Sequence, residues 1–202
     1  MEVFVSTLQA YIQGILSHIS GTHWAIIVLL SLAKTVFMLM RKKCTVYGAI
    51  ALGISVFFGL FLLDTAVVIR YSGAMKHMSG YDLGFDFSRL FCKSGLGPAE
   101  MISNIAAFIP FGLFLSEFLA SAKRFSAGRR LGLATLASFG LSLCIECLQL
   151  FLRVGFFELT DLVMNTLGAF VGAGVSVLMR RFFHSLTLGR NDNKEIPSHC
   201  SE

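Results

Sequence analysis

The chain has 202 residues, 55% of them hydrophobic and 14% charged, with a mean hydropathy of +0.73. A soluble domain carries roughly a quarter charged residues, so these side chains cannot coat a water-soluble globule, and lipid must be the solvent for much of the surface. The net charge of +5 excludes nothing by itself. The basic residues gather at the ends of apolar runs, where they set topology, and form no basic face for nucleic acid.

Residues 1–22 place Val3, Phe4, Leu8, Ile12, Ile15 and Ile19 at three- and four-residue steps, the period of an amphipathic helix. Gln9, Gln13 and His18 interrupt the run, so it reads as a helix lying in the interface. The basic n-region and small-residue cleavage site of a signal peptide are missing. The first span is predicted over Trp24–Met40, with Trp24 and His23 at headgroup level and Lys34 inside. Arg41, Lys42 and Lys43 end it. The second, Val46–Ile69, contains Asp64, for which Arg70 is a local ion-pair partner. Residues 70–100 form a polar, glycine-rich loop.

The third span, Ala99–Ser121, carries Asn104 near its start and Pro110 in its middle. Pro110 lacks an N–H and frees the carbonyl of Ala106, which predicts a kink. A short basic loop leads to a fourth span over Leu131–Leu152. A turn at 153–159 leads to a fifth over Thr160–Phe182. Cys144 and Cys147 stand in a Cys-x-x-Cys spacing within an apolar helix. With no second pair and no nearby His they read as small apolar packing rather than a zinc site. No metal and no cofactor are expected. The fold class is therefore all-α: a polytopic membrane helix bundle of about five transmembrane helices plus an N-terminal interfacial amphipathic helix. The membrane domain is 1–183, followed by a polar, disordered tail over 184–202.

Charge sets the orientation. Arg41, Lys42, Lys43, Lys123, Arg124, Arg129, Arg130, Arg180, Arg181, Arg190 and Lys194 flank one side. Arg70, Lys76, Arg89, Lys93 and Arg153 flank the other. The richer side is cytoplasmic by the positive-inside rule, which puts the N-terminus outside and the C-terminus in the cytoplasm of a multi-pass cell-membrane protein.

At about 1.5 Å per residue, Asn104, Glu146, Gln149, Asp161 and Asn165 then lie within roughly 10 Å of the outer boundary. Glu146, Gln149 and Arg153 fit i, i+3, i+7 on one helix face. Asp161, Asn165, Gly168 and Gly172 fit i, i+4, i+7, i+11 on another, and Gly168-x-x-x-Gly172 permits close helix contact. Asp161 also suits the first turn of a helix, with Thr160 as its cap. Glu146, well inside a span, must be neutral, paired or hydrated, with Asn104, Gln149 and Arg153 as its partners. Glu158 and Arg153 read as rim residues.

Three pieces, NIAAFIPFG in the third span, Glu146-x-x-Gln149 in the fourth and ELTDLVMNTLGAFVG in the fifth, resemble the VanZ-like family of bacterial membrane proteins over residues 100–175. Relatives often carry an Arg where Gly155 and Phe156 stand here, and Asp where Glu158 stands. The resemblance implies a part in glycopeptide resistance of the teicoplanin type. Three readings of the polar cluster follow. It binds an amphiphile, such as a lipoglycopeptide or a lipid-linked cell-wall precursor, beside membrane lipid, through Asn104, Glu146, Gln149, Asp161 and Asn165. Alternatively, it is an enzyme site on a lipid-linked envelope substrate, with Glu146 as general acid or base and Asp161 orienting or holding a metal. The third reading is a small transporter, for which the chain offers no internal repeat.

Overall fold

The computed structural model describes residues 21–41, 44–68, 78–84, 96–122 and 125–192, and scattered positions between 5 and 13. Five helices in it are long and apolar enough to cross a membrane. We number them α1 (Gly21–Met40), α2 (Val46–Leu63), α3 (Leu96–Ser121), α4 (Ala127–Leu152) and α5 (Leu159–Asp192). A π-helical turn, Asp64–Val68, extends α2. The described residues also include two short strands, β1 (Met78–Asp82) and β2 (Val154–Glu158). The expected interfacial helix of 1–22, Arg70 and its proposed pairing with Asp64, and the tail beyond 192 lie outside the described residues, apart from those scattered positions.

Local chemistry starts the helices. Thr45 caps α2, its hydroxyl accepting from the Gly48 N–H at 3.1 Å. Ser126 caps α4 and accepts from Arg129 N–H at 3.4 Å. Helix α3 continues through Pro110, as spanning helices do where neighbouring helices and local adjustments re-satisfy the freed backbone group. Helix α5 continues through 184–192, ten residues past the Phe182 end expected for the fifth span. With no proline or glycine pair to stop it, backbone hydrogen bonding carries the helix beyond the apolar stretch.

The packing centres on α3 and α5, which run parallel. A Cβ at Gly168 would overlap the Ile105 carbonyl, one at Gly172 the Ile109 carbonyl, and one at Gly112 the backbone of Ala169. The backbones therefore touch, as small residues permit between lipid-embedded helices. Helix α2 packs on α3, α4 on α5, and α1 lies at the edge against α2. Leu62, Val67, Phe108, Ile145 and Ala169 from α2 with its π turn, α3, α4 and α5 form the buried apolar cluster. Large apolar side chains point outward: Leu29 is 67% exposed, Leu136 65% and Leu178 64%. Such a surface belongs against lipid.

The link between α4 and α5 differs from the expected simple turn. Arg153 closes α4 in the left-handed conformation, with φ 55°, and β2 follows. It pairs in parallel with β1, Met78 opposite Val154 through Asp82 opposite Glu158. Part of the glycine-rich loop is thus strand, lying across the end of the bundle.

Candidate functional site

The α4–α5 hairpin builds the core of the polar cluster. The buried face of α4 reads Ser138, Ser142, Glu146, Gln149, spaced i, i+4, i+8, i+11. Glu146 is 2% exposed, and its Oε2 accepts the N–H of Glu158 at 2.9 Å. That N–H stands immediately before α5, where the backbone donors of a helix start lack intrahelical acceptors. A carboxylate there also meets the positive end of the helix dipole. Glu146 thereby fastens the β2–α5 junction to α4. Gln149 donates from Nε2 to the Ala66 carbonyl at 2.9 Å. Ala66 belongs to the π turn at the end of α2, whose last carbonyls need external donors.

Asn165 on α5 donates from Nδ2 to Ser142 Oγ at 2.9 Å, while its Oδ1 is buried without a hydrogen-bond partner. Across the α3–α5 contact, Ile105 meets Gly168, one turn from Asn165, so Asn104 stands at the same level. The Nδ2 of Asn104 is likewise buried and unpartnered. Asp161 lies a turn nearer the bundle end, partly buried and engaged with its surroundings. Thr160 is buried, and its hydroxyl reaches the Gly84 carbonyl at 3.4 Å, below β1. The structure joins Glu146, Ser142 and Asn165 on one interface and sets Asn104 beside it.

Several details depart from the sequence reading. Arg153 does not continue the face of Glu146 and Gln149, because its left-handed backbone leaves the helix and its side chain is exposed. Glu146 accepts a hydrogen bond from the backbone N–H of Glu158 in β2, a donor other than Asn104, Gln149 and Arg153. Asp64 faces His23, Oδ1 to Nδ1 at 3.5 Å, at this same end of the bundle. Lys34 is exposed on α1 with its ammonium 5.9 Å from the Phe37 ring, away from the cluster. Cys144 and Cys147 are exposed on the outer surface of α4; the buried stripe leaves them on the lipid face rather than in the packing. Trp24 stacks on Phe57 and Phe61 of α2, with centroids 5.9 and 5.5 Å apart.

A second polar cluster, at the opposite end, escaped the sequence reading. Glu117, late in α3, accepts on Oε2 from Arg180 Nε at 2.9 Å, Arg180 Nη2 at 2.6 Å and the Tyr47 hydroxyl at 2.6 Å. Its Oε1 accepts from Ser176 at 2.6 Å, and the Ser176 and Ser116 hydroxyls lie 3.0 Å apart. The Arg180 guanidinium also sits 5.6 Å from the Tyr47 ring centre. The signal was available: Glu117 is an acid between apolar residues of a span, and Ser176 with Arg180 keeps i, i+4 spacing.

A family model described as VanZ/LLP1 matches residues 25–180 of the chain. Protein VanZ of Enterococcus faecium is 31% identical over 93 residues, covering 45% of this chain and 52% of that protein. The chain thus matches about half the length of that curated relative. No solved structure matches.

Proposed function

We propose, from the premise that this chain belongs to the VanZ/LLP1 family, that it is an envelope membrane protein that lowers sensitivity to teicoplanin-type glycopeptides by holding an amphiphile at the Glu146 end. The observation that carries this reading is the pair of unpartnered buried atoms, Asn104 Nδ2 and Asn165 Oδ1. One is a donor and the other an acceptor, on helices in backbone contact. A buried polar atom without a partner costs about 1–3 kcal/mol, so the pair favours a ligand that both accepts and donates hydrogen bonds, as an amide or hydroxylated headgroup does. The basic-residue asymmetry supports an outward-facing reading of this end, where a lipoglycopeptide or lipid-linked wall precursor would be met.

Two features support binding over the other readings. The Oε2 of Glu146 is already engaged by backbone, which suits a positioning role better than proton transfer. The apolar cluster of Phe108, Ile145 and Ala169 packs next to the site, and the chain offers no internal repeat of the kind many transporters carry. The test is drug sensitivity of cells producing Asn104→Ala or Asn165→Ala at normal membrane levels. Loss of protection is expected. Unchanged teicoplanin sensitivity in both variants sinks the proposal.

A further inference from the structure

We infer that the Arg180 end of the bundle holds a phosphate group carried by an anionic phospholipid. Arg130, in the first turn of α4, is 9% exposed, and its Nε is buried with no hydrogen-bond partner. Burying a guanidinium at the positive end of a helix dipole is doubly unfavourable without an anion. Arg180 and Arg181 add repulsion, and among the described residues Glu117 supplies the opposing charge. Glu117, however, is already saturated: Arg180, Tyr47 and Ser176 occupy its oxygens. Three guanidinium groups therefore share one committed carboxylate. An open surface groove on α5 is lined by Arg180 and Arg181 with His184 and Ser185. Arginine forks match phosphate oxygens in pairs, so the charge, the donors and the space agree on one chemistry.

Depth selects a lipid as its carrier. Arg180 lies 21 residues beyond Leu159, about 31 Å along the helix, which is one hydrocarbon thickness from the other end. Headgroup phosphates lie at that level. Leu178, Met179, Phe182 and Phe183 are exposed around the arginines and give acyl chains an apolar bed. The site is independent of the reading of the Glu146 end.

Full-length protein purified in detergent tests this by native mass spectrometry and thermal unfolding. The additions are phosphatidylglycerol, phosphatidylcholine or inorganic phosphate. The wild type is expected to retain phosphatidylglycerol over phosphatidylcholine. Arg181→Gln and Arg130→Gln should each lower that preference about fivefold. Arg130→Lys keeps the charge but loses the fork, so it should fold and still lose preference; its lipid-free melting temperature controls for stability. Equal retention of the two lipids by the wild type, or unchanged preference in Arg181→Gln and Arg130→Lys, overturns the site. Inorganic phosphate that stabilises as well as phosphatidylglycerol overturns the assignment to lipid.

Discussion

Removing Glu117 should destabilise the bundle in a way that Arg180 reports. The carboxylate takes four hydrogen bonds, two from Arg180 and one each from Tyr47 and Ser176. Glu117→Ala leaves the Arg180 guanidinium without its counter-ion. Breaking a buried pair from one side costs about 3–5 kcal/mol. The side chains here are 39% exposed for Arg180 and 10% for Glu117, so rehydration of the arginine brings the expected loss to about 2–3 kcal/mol. For a chain of this size that is a fall of about 5–10 °C in melting temperature. The assay is thermal unfolding in detergent of the wild type, Glu117→Ala, Arg180→Ala and the double variant. Because the two residues share one network, the double variant should lose far less than the sum of the single losses, a coupling of about 2 kcal/mol. Tyr47→Phe, which removes one donor from a half-exposed ring, should cost about 1 kcal/mol. A coupling below about 0.5 kcal/mol would show that the pair acts as two independent surface charges.

The close α3–α5 contact makes a second prediction. Gly168→Ala must push Ile105 away and should cost about 1–3 kcal/mol. Gly140→Ala, where a Cβ meets nothing within 4 Å, should be neutral or stabilising by up to about 1 kcal/mol; equal melting temperatures for the two would refute the contact. Orientation is checked in a cysteine-free background. A membrane-impermeant maleimide should label Leu83→Cys on intact cells and Ala122→Cys only after permeabilisation, and the reverse pattern would turn the protein over.

The spans were legible because lipid imposes one rule, about 30 Å of apolar helix, that local composition satisfies or does not. The charge clusters Arg41–Lys43 and Lys123–Arg130 marked their ends. Partners were less legible. Glu146 was recognisable as a buried acid, but its acceptor bond goes to the backbone of Glu158, which carries no side-chain signature. The i+7 position of Arg153 assumed that α4 continued one residue further than it does, and an arginine with φ 55° gives no warning that glycine would have given. The β1–β2 pairing joins Met78 to Val154 across two helices, and nothing local in MSGYD announces a partner so distant. Glu117 was overlooked because an acid near a span end is ordinary until the structure brings Arg180 and Tyr47 to it. Ser142 needed only the question of what lies one turn before Glu146.

The parallel ladder also fixes an order of events during synthesis. Strand β1 is translated long before β2, and α3 and α4 must be threaded into the bilayer between them. Until the last hairpin arrives, the backbone donors and acceptors of β1 can pair only with water. The end of the protein that houses Glu146 consequently cannot close before β2 is made, and a nascent chain halted after α4 would leave it open.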